Sequence, residues 1–249
     1  MLNVNPLSNY RFKYVDGLEL TILGDETLSI AAGQCRDSDD TFQIVSDDAI
    51  TVSNTFAGVN GLDQGTVAAS TLYAVYLIGD LVGANLPAGL LSLSSTSPLM
   101  PYGYNAARLL GWVRTDGTSD FLAGKFYGHS GERVFMYDAP LATPITAGAA
   151  TTYTAVDLDG LVPNEDGLPV IVGFDMTPAA ASRIMSLQPF GGTGNEVSIT
   201  SQVTAVHVTG NVEVLAGLDT GVAALNYKWS AGGGDAVALN VVGYRYSLS

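Results

Sequence analysis

The stretch Thr71–Gly117 contains TLYAVYLIGD (71–80), LLSLSSTSP (90–98) and LMPYGYNAARLLGWVRTDG (99–117), three apolar strand-like runs each cut off by turn residues. Tyr73, Val75 and Leu77 alternate with Tyr76 and Ile78, so both faces of the first run are apolar, and a strand buried on both sides follows. Trp112 lies between Leu110 and Val113 in the third run, as a core side chain should. Tyr102 and Tyr104 flank Gly103 in a Pro-containing segment and are the aromatics we expect a partner to meet. The segment PYGYNAARLL has room for a single helical turn, but no amphipathic pattern supports a longer helix.

The same pattern extends outward. LELTIL (18–23), TLSIAAGQC (27–35), FQIVS (42–46) and AITVS (49–53) are short β-branched segments separated by Asp, Gly or Asn. Asp16-Gly17, Asn60-Gly61 and Asp116-Gly117 are expected to supply the positive φ angles of tight hairpin turns. APLATPITAGAA (139–150), with two prolines and many small residues, reads as a linker or a crossover between sheets. We place a domain boundary there, giving β-rich units of 1–140 and 141–249. Beyond it, seven or eight strand-like runs recur at roughly ten-residue spacing, which suits a β-sandwich of jelly-roll type. The fold class is all-β.

Composition narrows the functional classes. Of the 249 residues, 47% are hydrophobic, enough for a substantial core, and only 14% are charged against about 25% in average domains. Twenty-four acids face seven Arg and three Lys, a net charge of −14 with no basic run. That balance argues against nucleic acid or an anionic membrane as partner. With Cys35 alone, the chain has no intramolecular disulfide and no thiolate metal cluster. Neither a secretory signal nor an apolar stretch of about 18 residues is present, so folding in a cytosol is expected.

Candidate chemistry is sparse. His129 and His207 are too few for a three-His metal site, and His207 in TAVHVTG reads as a strand residue. Gly128-His129-Ser130-Gly131-Glu132 departs from a nucleophile elbow, because Glu132 stands where the last Gly belongs and no strand–elbow–helix context surrounds it. The acidic clusters Asp37, Asp39, Asp40, Asp47, Asp48 and Asp157, Asp159, Glu165, Asp166 lack the twelve-residue calcium-loop spacing. We read them as turn and strand-edge carboxylates, with calcium the alternative. No pair of carboxylates stands out for glycoside hydrolysis. The expectation is a non-enzyme without metal or cofactor.

GLELTILGDETLSIAAGQCRDSDD (17–40), GLDQGTVAASTLYAVYLIGD (61–80), the 90–117 stretch and DAVALNVVGYRYSLS (235–249) together resemble a group of tailed-bacteriophage virion structural proteins, described as head decoration, head fibre or tail fibre proteins. The resemblance covers most of the chain and carries no catalytic signature. It implies an assembled β protein, commonly a homotrimer, located in a virion put together in the bacterial cytoplasm. The first expectation is a capsid decoration, or cement, protein that bridges subunits of the major capsid protein, with residues 1–140 as attachment domain. Arg11 and Lys13, the charges of the segment Leu2–Tyr14, are its candidate capsid contacts alongside Tyr102 and Tyr104. The alternative is a tail-fibre or adsorption component whose sandwich binds a host surface glycan, although no heptads or shaft repeats are visible.

Overall fold

The structure is a computed structural model, described here for residues 13–128, 131–192, 196–202, 204, 206–232 and 234–248. Arg11 lies outside the described residues, as do His129 and Ser130. No helix occurs among them, and the strands pair antiparallel throughout.

The first nine strands are β1 (Val15–Gly17), β2 (Leu20–Gly24), β3 (Thr27–Ile30), β4 (Gly33–Arg36), β5 (Gln43–Ser46), β6 (Ile50–Ser53), β7 (Leu72–Gly79), β8 (Ala88–Ser92) and β9 (Ala106–Arg114). They form three small sheets ordered β1-β4-β5, β2-β3-β6 and β8-β7-β9. The central β7 is buried at every residue after Leu72, as its two apolar faces require. The PYGY segment is a turn and Ala106–Arg114 a strand, so no helical turn forms there. Ala106, Ala107, Arg108 and Leu109 pair with β7 instead, and burial decides in favour of the sheet. The pairing carries a bulge, with Gly111 opposite Val75 but Leu109 opposite Tyr76. Gly111 has φ 154°, and a Cβ on it would stand 2.3 Å from the Tyr246 hydroxyl, so glycine is what lets a second sheet approach so closely.

The remaining strands are β10 (Gly124–Tyr127), β11 (Glu132–Ala142), β12 (Thr154–Asp157), β13 (Pro169–Thr177), β14 (Ile184–Pro189), β15 (Val197–Thr200), β16 (Val208–Leu215), β17 (Gly217–Asp219), β18 (Val222–Trp229) and β19 (Ala236–Ser247). One sheet has the order β10-β11-β19-β13-β16, the other β12-β18-β14-β15 with β17 on β18. Leaving aside β10 and β17, the chain winds through eight strands in jelly-roll order, four to each sheet. Alternation fills the space between the sheets: Val170, Val172 and Met176 of β13 and Val237, Leu239 and Val241 of β19 are buried, as are Leu225, Tyr227 and Trp229 of β18. The indole N–H of Trp229 donates to the Gly148 carbonyl at 3.1 Å, and Gly148 is bridged to Val237 of the facing sheet.

The junction drawn between residues 140 and 141 falls inside β11, which is hydrogen-bonded along β19. The sandwich therefore takes in residues from Glu132 onward, and the proline-containing segment after β11 carries the chain across to β12. Two aromatic rows join this sandwich to the first nine strands. The Tyr246 hydroxyl donates to the Leu110 carbonyl at 3.2 Å, and that of Tyr244 to the Trp112 carbonyl at 3.3 Å. Trp112 and Tyr246 meet edge to face at 5.2 Å, and Phe135 contacts Phe126, Tyr137 and Tyr244. Such pairs add about 0.5–1.5 kcal/mol each beyond area burial. The buried Arg133 reaches across as well, donating to the Gly17 and Leu110 carbonyls at 2.8 and 3.2 Å.

Of the three expected hairpin dipeptides, Asp116-Gly117 does not carry its positive φ; Ser119 does, at 76°. The Asp116 carboxylate accepts the N–H groups of Thr118 and Asp120, which shapes a longer loop and moves the left-handed residue to its end. Gly17 and Asn60 do adopt positive φ.

A candidate docking platform

Two loops meet at the end of the β8-β7-β9 sheet, residues 80–87 between β7 and β8 and residues 101–105 before β9. Pro101-Tyr102-Gly103-Tyr104 closes a turn in which the Tyr104 N–H donates to the Pro101 carbonyl at 3.1 Å, with Gly103 at φ 87°. Glycine at the third position of such a turn is required by the positive φ, and here by space too, since a Cβ would lie 2.6 Å from the Asn85 amide nitrogen. The turn lifts Tyr102 fully into solvent, while Tyr104 is half-buried and donates its hydroxyl to the Leu86 carbonyl at 3.0 Å.

Asp80 builds the other loop. Its carboxylate accepts the N–H groups of Val82 at 3.0 Å, Ala84 at 3.0 Å and Asn85 at 3.1 Å, and the Asn85 side-chain amide at 3.1 Å. These donors, the Val82 N–H first, hold its carboxyl below the ordinary aspartate value. Asn85 also donates to the Gly103 carbonyl, and Asn105 accepts the Leu81 N–H at 2.8 Å, so the loops are locked together. What faces out is apolar: Leu86 and Val82 are more than four-fifths exposed and Leu81 nearly half. The polar groups are used inside the loops and the apolar ones are presented to a neighbour. The sequence signal for the turn was PYGY; the Asp80 clamp has none beyond an Asp at a strand end.

The other candidates are dispersed. Lys13 belongs to a separate network, its N–H on Asp40 at 3.0 Å and its carbonyl receiving Arg108 at 2.9 Å. His207 lies just before β16 rather than within a strand, exposed and 2.7 Å from an Asp175 carboxylate oxygen. Asp37 caps its own loop, accepting the Thr41 and Phe42 N–H groups at 2.7 and 2.9 Å. Burial raises the Glu165 carboxyl above its usual range. Among the described residues no three His, Cys, Asp or Glu side chains converge as metal ligands would. One polar cluster was not anticipated: on the open face of the second sheet the Tyr153 hydroxyl donates to Glu196, Lys228 stands 4.2 Å over the Tyr153 ring, and the Ser198 hydroxyl donates to Glu196 at 2.9 Å. Hydrogen bonds from Ser186, Tyr153 and Ser198 hold the Glu196 carboxyl down to about 2.

No protein-family model matches the chain, and no curated protein matches it. Among solved structures, it is similar to TmCBM61 in its complex with β-1,4-galactotriose, at 13% identity over 49% of this chain and 72% of that one. The TM-score is 0.23, and a superposition of that extent carries no argument about fold or ligand.

Proposed function

We propose that this chain is a structural protein of a tailed-bacteriophage virion, a homotrimeric capsid decoration protein that meets the major capsid protein through the Leu81, Val82, Leu86 and Tyr102 platform. The observation that carries the reading is the platform itself: four apolar side chains held out by loops whose internal hydrogen bonds fix their shape in advance. A preformed apolar surface loses little entropy on docking, and aromatic anchors of this kind dominate protein interfaces. Decoration then works by geometry. Contacts that exist only in the assembled shell must break before the shell opens, so they stabilise it by linkage.

The alternative of a host-glycan receptor draws less support from this surface. Sugars need free donors and acceptors beside the aromatic ring, and here the Asp80, Asn85 and Tyr104 groups are engaged within the loops. The resemblance of the sequence to virion proteins favours an assembly role, while the jelly roll suits either reading. Quantitative mass spectrometry of purified virions decides. Hundreds of copies per particle are expected; a few copies per particle would move the chain to the tail, and absence from virions would overturn the proposal.

A further inference from the structure

Strand β2 is an edge of its three-stranded sheet and β10 an edge of the five-stranded one. The two edges are pinned at one end, where the Phe121 N–H donates to the Asp25 carbonyl at 2.6 Å, and a groove of about 480 Å³ opens between them. Asp138 donates its N–H to Ala123, and the antiparallel alternation that follows turns the N–H and C=O of Gly124 and Phe126 away from β11, toward the open side. Leu23 and Tyr127 are exposed along the walls, Phe126 is half-buried, and the carboxylates of Asp25 and Asp138 line the groove together with Lys125. The groove thus offers strand edges unpaired among the described residues, apolar contact and net negative charge.

We infer that this groove accepts an extended polypeptide segment of alternating apolar and basic residues, supplied by a different protein, which adds as a strand to the β10 edge. Main-chain donors and acceptors at strand spacing are matched by a peptide backbone, and apolar pockets beside them select its side chains. Charge selects the chemistry of the occupant: Asp25 and Asp138 outnumber Lys125 along the groove, and a basic segment meets them. The site is independent of the loop platform.

The test uses a fluorescein-labelled octapeptide of alternating Val and Lys, with fluorescence anisotropy and amide hydrogen exchange on the full chain. Saturable binding is expected, with slowed exchange at Gly124 and Phe126. Replacing Lys by Glu in the peptide, or Asp25→Lys with Asp138→Lys in the protein, lowers affinity about tenfold, and the Glu peptide regains it on the charge-reversed protein. N-methylation of alternate peptide bonds keeps the charge and abolishes binding. Equal binding of the N-methylated peptide, protection away from Gly124 and Phe126, or no saturable binding overturns the inference. So does protection that rises with protein concentration alone, which would make a second copy the occupant. Unchanged thermal midpoints of the charge-reversed protein exclude misfolding.

Discussion

Replacing Tyr102 and Leu86 together by serine is expected to abolish most of the affinity of the platform for its partner while leaving the fold intact. Both side chains stand clear of their own protein, Tyr102 completely and Leu86 at 84% exposure, so docking removes almost their whole surface from water. Full burial of a side chain of this size contributes about 2 kcal/mol. Two such losses, reduced because neighbouring truncations are not additive, come to about 3 kcal/mol, or roughly a hundredfold in Kd. Neither side chain carries the hydrogen bonds that lock the loops, which run through Asp80, Asn85, Asn105 and the Tyr104 hydroxyl, so the melting temperature should stay within the scatter of surface substitutions. The assay is co-sedimentation of labelled protein with purified expanded heads that lack it, titrated to saturation. A double variant that decorates heads with the affinity of the parent, at the same melting temperature, would show that the platform is not the docking surface.

Three further outcomes follow from the interior and the sheet face. The Glu196 carboxyl is depressed to about 2 against an unfolded value of about 4.3, so its stabilisation is complete above that unfolded value and lost as pH falls through about 2. Melting curves of the parent and Glu196→Gln should therefore converge on acidification, and a difference that widens would contradict the assignment. Burial pushes the Cys35 thiol up to about 12, so native protein at pH 8 should resist a thiol-disulfide reagent over hours and react at once in denaturant; rapid native labelling would be inconsistent with this packing. Trp229→Ala should cost about 3–5 kcal/mol in urea unfolding, whereas Trp229→Phe should cost about 1–2, because the Gly148 carbonyl keeps the Val237 N–H as donor at 3.0 Å; equal costs would refute this division.

The all-β class and the central position of β7 were legible because Tyr73–Ile78 is apolar on both faces, a local property of the chain. The exposure of Tyr102 was legible too, since it stands beside Gly103 in a Pro-containing segment, whereas Tyr104, read the same way, is half-buried. What escaped depends on residues far apart in sequence. TLSIAAGQC reads as one strand, yet it breaks after Ile30 into β3 and β4, which pair in different sheets. Prolines and small residues after Ala139 suggest a linker, but β11 continues to Ala142 because β19, a hundred residues on, supplies its partner. The clamp of Asp80 and the open edges of β2 and β10 are likewise products of topology, invisible to any window of a dozen residues.

The placement of β19 has a consequence for biosynthesis. It is translated after both strands it pairs with, yet it lies in the interior of its sheet between β11 and β13 and delivers Tyr244 and Tyr246 to the first nine strands. A nascent chain holds two waiting edges, on β11 and β13, until β19 has left the ribosome, so the sandwich closes only after all of its strands have been made. Prematurely terminated products would carry those bare edges into aggregates or proteolysis.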